Sequence, residues 1–177
     1  MINNLTLVTG GAASGKSAFS ERLVRTIGGR RHYLATAQAF DGEMCDKILR
    51  HQLQRGGDWI THEAPLEVDK IIENLTADDV LLLDCATLWL TNLMLAEHDV
   101  SAAADGLLRA LSDTPAQVVI VTNEVGSGIV PQDALSRQFR QFQGELNQNI
   151  AANAALVVVV ISGLPMILKG QMPEGFQ

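Results

Sequence analysis

Apolar residues along this chain fall into short continuous runs that alternate with stretches in which they recur every three or four positions. Continuous runs are typical of strands buried on both faces, whereas the wider spacing is typical of amphipathic helices. The runs predict strands at 5–9, 32–35, 59–61, 80–84, 118–122 and 156–161. The spaced patterns predict helices after residue 17 and over 41–55, 66–75, 99–113 and 135–150. Strands separated by helices indicate an α/β fold, with a mainly parallel sheet in a three-layer domain.

The first strand is followed by a glycine-rich stretch that fits the pattern G-x-x-x-x-G-K-[ST], which cradles nucleotide phosphates. It consists of Gly10, Gly11, Ala12, Ala13, Ser14, Gly15, Lys16 and Ser17. A helical spacing begins directly after it, so strand, loop and helix occur in the order that such a loop requires. The loop N–H groups and the helix N-terminus attract phosphate. The chain is therefore predicted to be a P-loop NTPase domain, in which Lys16 reaches the outer phosphates and the Ser17 hydroxyl holds Mg²⁺.

Composition narrows the class of protein. The 177 residues suit one domain, predicted over 1–170, with a flexible tail at 171–177. A formal net charge of −7 argues against a nucleic-acid partner. The longest apolar run, 154–161, is too short to span a bilayer, and the N-terminus lacks the pattern of a signal peptide. We therefore expect no membrane span. Cys45 and Cys85 form neither a metal-binding nor a disulfide pattern, so both thiols are expected to be reduced and the protein to be cytoplasmic.

Polar residues follow three of the predicted strands: Thr36, Asp84 and the pair at 123–124. Ligands of parallel sheets bind at the carboxyl ends of the strands, so these residues are expected around one cleft with the loop. Asp84 is a candidate second ligand of Mg²⁺, although a carboxylate at that point also serves to cap a following helix. Glu124 is a candidate for the same metal role or for orienting the glycine-containing segment 126–128.

His51 is a possible nucleophile. In the predicted helix 41–55 it shares one face with Lys47 and Arg55 by the four-residue spacing. Two neighbouring cations favour a neutral imidazole, which is a competent nucleophile. From these residues alone, however, a solvated histidine on an exposed helix face is commoner than a covalent catalyst, and both interpretations stay open at this point.

Six segments, taken in order, resemble the bifunctional adenosylcobinamide kinase/adenosylcobinamide-phosphate guanylyltransferase family of cobalamin biosynthesis. They lie at 10–17, 33–37, 43–51, 59–63, 83–92 and 122–131. The resemblance extends from about residue 5 to residue 169. Its most specific part is the string N-E-V-G-x-G-I-V-P at 123–131, because many unrelated enzymes share the phosphate loop.

This resemblance implies two reactions. In the first, ATP or GTP phosphorylates the aminopropanol hydroxyl of adenosylcobinamide. In the second, a histidine takes GMP from GTP, releases pyrophosphate and passes GMP to adenosylcobinamide phosphate, which gives adenosylcobinamide-GDP. His51 is the histidine that matches, and it joins Lys16 as a catalytic residue. Further nucleotide contacts are implied for Ala35, Thr36, Ala37, Gln52, Leu53, Gln54, Arg55, Glu63 and Asp84. The family also implies a homo-oligomer, a trimer.

The chain departs from the family pattern at several positions. Ala13 and Gln52 stand where arginine is usual, Gly56 where proline is usual, and Gln141 and Ala155 where aspartate is usual. Losing two cations beside the triphosphate predicts weaker GTP binding, by about 1–3 kcal/mol for each. The sequence leaves open which triphosphate feeds the kinase step, which residues contact the corrinoid, and whether both activities survive these changes.

Two other functions are consistent with the residues. One is a single-function small-molecule kinase in which His51 is inert. The other is a GTP-dependent switch or binding module, against which the absence of the Asn-Lys-x-Asp guanine-reading motif counts.

Overall fold

Helices cover both faces of one sheet. The computed structural model describes residues 2–38 and 57–176. The strands in this part of the chain are β1 (Ile2–Thr9), β2 (Arg30–Ala35), β3 (Trp59–Glu63), β4 (Asp79–Asp84), β5 (Gln117–Val121), β6 (Ala154–Ile161) and β7 (Leu164–Lys169). The helices are α1 (Lys16–Ile27), α2 (Val68–Glu73), α3 (Ala86–Leu95), α4 (Val100–Asp113) and α5 (Ala134–Asn153).

The described strands form one seven-stranded sheet in the order β3-β2-β4-β5-β1-β6-β7. Its neighbouring strands are parallel, apart from β6 and β7, which pair antiparallel. Strand β1, which precedes the glycine-rich loop, lies in the interior of the sheet between β5 and β6. The predicted α/β fold with a mainly parallel sheet is confirmed.

Each face of the sheet carries its own hydrophobic cluster. On one face, here called the α1 face, Leu23 and its neighbours in α1 pack against the strands. On the other, here called the α5 face, helices α2 to α5 pack against the sheet. Side chains of a strand alternate between faces. In β5, accordingly, Val119 and Val121 lie on the α1 face, whereas Val118 and Ile120 lie on the α5 face.

The helix ends follow local sequence signals. Helix α1 begins after Gly15, at φ 96°, and ends at Gly28, at φ 82°, both in the left-handed region that glycine adopts readily. Asp99 and Asp133 are the N-cap residues that precede α4 and α5. Each of these carboxylates accepts a hydrogen bond from the backbone amide three residues later, at 3.0 and 2.7 Å respectively, which is the usual N-cap geometry.

All predicted strands are present, and so are all predicted helices that fall within the described residues, with bounds that differ by about three residues or fewer. The predicted helix 41–55 and Cys45 lie outside the described residues. Two observed elements were not predicted, α3 and β7. Helix α3 is apolar on nearly every side, so no amphipathic spacing marks it. Strand β7 is short and contains Pro165.

Strand β7 forms one edge of the sheet and exposes apolar side chains. Leu164, Met166, Ile167 and Leu168 are between 45% and 72% exposed, and Ile161 at the end of β6 is 58% exposed. These five residues are called the β7 edge below. An edge strand of this kind presents both unpaired backbone groups and apolar surface to a partner.

The residues after β7 return to α1. The Phe176 ring packs edge-on against Phe19 with centroids 5.1 Å apart, and the Arg22 guanidinium lies 5.8 Å from the centre of the Phe176 ring. The flexibility predicted for 171–177 and the single domain predicted over 1–170 remain predictions. No helix within the described ranges combines the length and hydrophobicity that crossing a bilayer requires.

Candidate functional site

The glycine-rich loop 10–17 connects β1 to α1 at the carboxyl edge of the sheet. Gly10 and Gly15 have φ angles of 151° and 96°. A Cβ added to Gly10 would lie 2.3 Å from the carbonyl oxygen of Val160, and one added to Gly15 would lie 3.2 Å from the Cα of Gly163. A side chain at Gly10 would therefore collide with β6. At Gly15 the left-handed φ and the close approach of the β6–β7 turn both favour glycine.

Within the loop, the polar groups are arranged to receive an anion. Lys16 is only 7% exposed, and its Nζ donates a hydrogen bond to the carbonyl oxygen of Gly11 at 2.6 Å. Ser17 lies partly buried in the first turn of α1. The buried hydroxyl of Ser14 makes no hydrogen bond within the part of the chain that the structure describes. A curled backbone, a buried cation and an unpartnered hydroxyl at a helix N-terminus suit phosphate.

The crest of the loop, Ala12 and Ala13, is exposed. Ala13 has φ 54°, a left-handed conformation that costs a residue with a side chain about 1–2 kcal/mol. This is one of the two positions where arginine is usual in the family that the sequence resembles. A longer side chain at Ala13 would extend into solvent and would not displace any residue of the core.

Two backbone hydrogen bonds fix the loop to later parts of the chain. The carbonyl oxygen of Gly10 accepts from the amide of Glu124 at 3.0 Å, and that of Ser14 accepts from the amide of Gly163 at 2.8 Å. The segment after β5 and the β6–β7 turn thus hold the loop in its conformation from two sides.

A row of paired residues crosses the carboxyl edge of the sheet beside the loop. Glu63 pairs with Ala35, Ala35 with Asp84, and Asp84 with Val121. Residues paired directly in this way point to the same face. Because Val121 lies on the α1 face, Glu63 and Asp84 also point to that face. These two carboxylates are called the acidic row below. Neighbouring strands are about 4.8 Å apart, so the Cα atoms of Glu63 and Asp84 are about 10 Å apart.

The Asp84 carboxylate does not cap the helix that follows it. Its Oδ2 accepts a hydrogen bond from the Tyr33 hydroxyl at 3.2 Å, and the N-cap residue of α3 is Cys85, which makes no side-chain capping bond. Burial and the neighbouring Asp84 carboxylate raise the pKa of Cys85 to about 11. The thiol therefore stays protonated near neutral pH, and Asp84 supplies the negative charge at this point of the site.

Thr36 is fully buried and holds the ends of β2 and β4 together. Its hydroxyl donates to the carbonyl oxygen of Cys85 and accepts from the Cys85 amide, both at 2.8 Å. The side-chain amide of Asn92 donates to the carbonyl oxygen of Thr36 at 2.8 Å and to that of Pro65 at 3.0 Å. Thr36 and Asn92 thereby position the strand ends that carry the acidic residues, while the next residue, Ala37, is partly exposed.

Sequence reasoning missed a buried polar network on the α5 face behind β5. The Thr122 hydroxyl donates to Asn147 Oδ1 at 2.7 Å and accepts from Gln143 Nε2 at 3.0 Å. Asn147 Nδ2 donates to the carbonyl oxygen of Asn123 at 3.1 Å, and the amide of Asn123 donates to the Thr87 hydroxyl at 2.8 Å. The available signal was the position of Gln143 and Asn147, four residues apart on the helix face that packs on the core.

The Glu124 carboxylate orients the segment that follows it. Its Oε1 accepts a hydrogen bond from the amide of Gly126 at 2.5 Å, and the Arg140 guanidinium donates to the carbonyl oxygen of Gly126. Of the two roles considered for Glu124, the structure therefore supports the orientation of 126–128. Across residues 2–38 and 57–176, no three His, Cys, Asp or Glu side chains are grouped as a metal site.

Several predicted site residues lie outside the described ranges, so their predicted roles remain predictions. They are His51, Gln52, Leu53, Gln54 and Arg55.

Comparison with known proteins covers nearly the whole chain. The family described as cobinamide kinase / cobinamide phosphate guanyltransferase matches residues 6–168, a range that includes the loop, the acidic row and the polar network. The chain belongs to this family.

Relatives in the family are similar along their full length. The bifunctional adenosylcobalamin biosynthesis protein CobP of Pseudomonas aeruginosa is 42% identical over 168 residues, which cover 93% of this chain and 97% of CobP. The bifunctional protein CobU of Salmonella typhimurium is 40% identical over 181 aligned positions, covering 93% of this chain and 99% of CobU.

Solved structures share the fold of this family member. The assembled ATPase EscN of the enteropathogenic E. coli type III secretion system superposes with a TM-score of 0.55 at 9% identity, over 91% of this chain and 43% of EscN. A prototypical type III secretion ATPase gives a TM-score of 0.54 at 10% identity, over 88% of this chain and 50% of that one. The predicted P-loop NTPase fold is confirmed.

Proposed function

We propose that this chain phosphorylates adenosylcobinamide and then transfers GMP from GTP to the phosphorylated product. Membership of the cobinamide kinase / cobinamide phosphate guanyltransferase family, over residues 6–168, is the observation that carries the proposal. In the kinase reaction the aminopropanol hydroxyl attacks the γ-phosphorus of ATP or GTP. The bond from the γ-phosphorus to its bridging oxygen breaks, the nucleoside diphosphate leaves, and the hydroxyl proton passes to solvent.

The guanylyl transfer proceeds in two displacements. A ring nitrogen of His51 attacks the α-phosphorus of GTP, and the bond to the β-phosphate bridging oxygen breaks as pyrophosphate leaves. A phosphate oxygen of adenosylcobinamide phosphate then attacks the same phosphorus. The N–P bond breaks, histidine is restored and adenosylcobinamide-GDP is formed. Covalent catalysis of this kind divides one difficult transfer between large molecules into two simpler ones.

The glycine-rich loop supplies most of the electrostatic stabilisation in both reactions. Lys16 turns from the carbonyl oxygen of Gly11 to the outer phosphates, and the loop amides and the Ser14 hydroxyl donate to phosphate oxygens. Ser17 and Asp84 supply hard oxygen ligands on the α1 face and therefore fit Mg²⁺. When bound, Mg²⁺ neutralises charge on the phosphate oxygens.

The acidic row holds the rest of the nucleotide in this proposal. Glu63 is exposed at the end of β3, and its carboxylate makes no hydrogen bond to the residues that the structure describes. It is placed to accept hydrogen bonds from nucleotide hydroxyl or N–H groups. Ala35 and Ala37 flank it at the end of β2, and Gln52, Leu53, Gln54 and Arg55 complete the predicted contacts.

We further propose that the chain acts as a homo-oligomer, with the trimer implied by the family resemblance. The β7 edge supports this, because apolar residues of an edge strand favour a protein partner. Light scattering on the purified protein tests it: the expected mass is three times the 19.1 kDa of one chain, and a mass of one chain contradicts it. The cytoplasmic location remains a prediction.

The reaction type is tested by identifying products by mass. Purified protein is mixed with adenosylcobinamide, Mg²⁺ and either ATP or GTP. We expect adenosylcobinamide phosphate first and, with GTP, adenosylcobinamide-GDP. Phosphorylation without any guanylyl product supports the single-function kinase instead. No transfer to the corrinoid, together with GTP-dependent binding of another protein, supports the switch.

The covalent step is tested with GTP labelled at the α-phosphate. Label is expected to stay on the protein through denaturation, to be lost in acid and to be absent from His51→Ala. His98→Ala is the matched control, because His98 is an exposed histidine elsewhere on the chain. An active wild-type protein that carries no label rules out the histidine intermediate.

A further inference from the structure

Asn123 comes directly after the strand that separates the two halves of the phosphate site. Strand β5 lies between β1 and β4 in the sheet. Strand β1 leads into the glycine-rich loop with Lys16, and β4 ends at Asp84. The chain that continues from β5 therefore runs between the loop that carries Lys16 and the Asp84 carboxylate.

The extended backbone continues past the end of β5, which determines the face on which Asn123 lies. The amide of Thr122 donates to the carbonyl oxygen of Val8 at 2.9 Å, and that of Glu124 donates to that of Gly10 at 3.0 Å. This is the alternation of a parallel ladder. Val119 and Val121 lie on the α1 face, so Asn123 also lies on it.

The contacts of Thr122 agree with this alternation. Its hydroxyl bonds to Gln143 and Asn147 of α5, so residue 122 faces α5. Asn123, the next residue of the extended backbone, faces the opposite side of the sheet, which carries α1 and the Asp84 carboxylate.

The backbone of Asn123 is held on both sides. Its amide donates to the Thr87 hydroxyl at 2.8 Å, and its carbonyl oxygen accepts from Asn147 Nδ2 at 3.1 Å. Thr122 and Gln143 in the supporting network are completely buried. Gln143 Nε2 also donates to Asn147 Oδ1 at 2.9 Å, which leaves the nitrogen of the Asn147 amide directed at Asn123. Buried networks of this kind restrict the positions of their members.

The side chain of Asn123 is not used to hold this structure together. It is partly exposed, and its carboxamide makes no hydrogen bond to any residue in the ranges 2–38 and 57–176. A rigid backbone that presents an available amide toward a phosphate site is the arrangement expected of a group that contacts substrate. The neutral amide matters, because a second carboxylate beside Asp84 would repel the phosphates.

We propose that Asn123 is a catalytic residue of the kinase reaction, whose side-chain amide donates a hydrogen bond to an oxygen of the γ-phosphoryl group. The proposal rests on the proposed function above. Charge on this group is redistributed as it moves from the nucleotide to the acceptor hydroxyl, and a fixed donor lowers the energy of that arrangement. The attack on the α-phosphate by His51 occurs two phosphorus atoms away, so it depends on this donor much less.

Three variants test the assignment: Asn123→Ala, Asn123→Asp and the control Asn149→Ala, which removes an exposed amide from α5. For Asn123→Ala at saturating nucleotide we expect kinase kcat to fall about 100-fold. The rate of guanylylation of His51 should stay within about threefold of wild type. This change is much smaller than the loss of about 100-fold or more that removal of one donor to a reacting phosphate should cause. Asn123→Asp should lose more kinase activity than Asn123→Ala, because its carboxylate repels the γ-phosphate. Asn149→Ala should leave both reactions unchanged.

Nucleotide binding gives a second readout that needs no acceptor. Asn123→Ala should weaken binding of the β,γ-imido analogue of GTP about 10- to 150-fold, the loss expected for one bond to a charged group. Binding of GDP should change by less than about twofold, because GDP lacks the group that the amide contacts. Equal losses for both nucleotides, or a kinase kcat near the wild-type value, overturn the assignment. If the wild-type protein fails to phosphorylate adenosylcobinamide, the proposed function fails, while the ratio of the two affinities still decides the role of Asn123.

Discussion

The Thr36 hydroxyl makes two hydrogen bonds to one residue, Cys85: it donates to the carbonyl oxygen and accepts from the amide, both at 2.8 Å. These bonds join the end of β2 to the end of β4 at the residue after Asp84. A threonine that the sequence suggested as a nucleotide contact is thus a structural link between the strands that present the acidic row.

Removing this link should destabilise the protein and displace Asp84. Thr36→Val keeps the shape of the side chain but leaves the buried amide and carbonyl of Cys85 unpaired. We expect a loss of about 2–4 kcal/mol in the free energy of unfolding, measured in urea, together with a fall in kinase activity. Thr36→Ser retains both hydrogen bonds and should lose about 1 kcal/mol. A loss in Thr36→Val no larger than that in Thr36→Ser would show that packing, and not hydrogen bonding, dominates at this position.

Replacement by alanine should destabilise the protein at Gly10 but not at Gly11, the next residue of the loop. Gly10→Ala places a Cβ 2.3 Å from the Val160 carbonyl oxygen, whereas nothing lies within 4 Å of a Cβ at Gly11. We expect Gly10→Ala to cost about 2–4 kcal/mol of stability, from overlap and backbone strain, and to abolish measurable nucleotide binding. Gly11→Ala should change stability by less than about 0.5 kcal/mol. Calorimetric titration with GTP and urea unfolding measure both effects, and similar results for the two variants contradict the assigned geometry.

Restoring a cation at the crest of the loop should tighten nucleotide binding. Ala13 is exposed and already left-handed at φ 54°, so Ala13→Arg adds a guanidinium without burying it. We expect the Kd for GTP to fall about 5- to 30-fold, equivalent to about 1–2 kcal/mol. The gain should shrink as salt is raised, because exposed charges are screened. Ala13→Gln, which adds length without charge, is the control, and an equal gain in that variant argues against an electrostatic cause.

A histidine pair should make stability depend on pH. His32 Nδ1 lies 2.9 Å from His62 Nε2, and His32 Nε2 lies 3.1 Å from Asp79 Oδ1. Partial burial and the proximity of His32 lower the pKa of His62 below its ordinary value of 6.5. The unfolded chain therefore takes up a proton at a higher pH than the folded one. Stability should fall as the pH decreases from about 7 to about 5, by at most about 1.4 kcal/mol per pH unit for this one proton.

His62→Gln should flatten that decline, as measured by urea unfolding across the same range. His98→Gln, at an exposed histidine outside the pair, should keep the wild-type slope. The measurements should stop near pH 5, because at lower pH the protonation of Asp79 also reduces stability. Burial alone would raise the pKa of Asp79, but hydrogen bonds from Thr76, Arg30 and His32 hold it well below its ordinary value of 3.8. Its stabilisation is complete above that value and is lost in stronger acid. An unchanged slope in His62→Gln would show that another group takes up the proton.

The sequence predicted the fold and the loop because both depend on local patterns. Apolar runs such as Val80 to Leu83 have the length of a buried strand, and the glycine-rich stretch has its required strand and helix on either side. Helix α3 was missed because it is buried on several sides, so its apolar residues show no single face. Strand β7 was missed because the apolar side chains of a short run predict a strand only when they are expected to be buried, and those of β7 are exposed.

The site was predictable only where one segment supplies it. Asp84 and Glu63 were identified singly, but their common face and their separation through Ala35 depend on strand order, which the sequence pattern does not contain. The polar network of Thr122, Gln143 and Asn147 brings together residues more than twenty positions apart. Each of these residues, taken alone, looks like an ordinary surface polar group.

The hydrogen bond from the amide of Gly163 to the carbonyl oxygen of Ser14 has a consequence for biosynthesis of the chain. The glycine-rich loop is synthesised before the two strands that flank β1, namely β5 and β6, and before the turn that braces it, which follow about a hundred or more residues later. A nascent chain therefore carries the loop for more than a hundred residues of synthesis without the partners that shape it. Competence to hold nucleotide arises only after Gly163 is synthesised, so a premature stop before that position removes the brace of the loop.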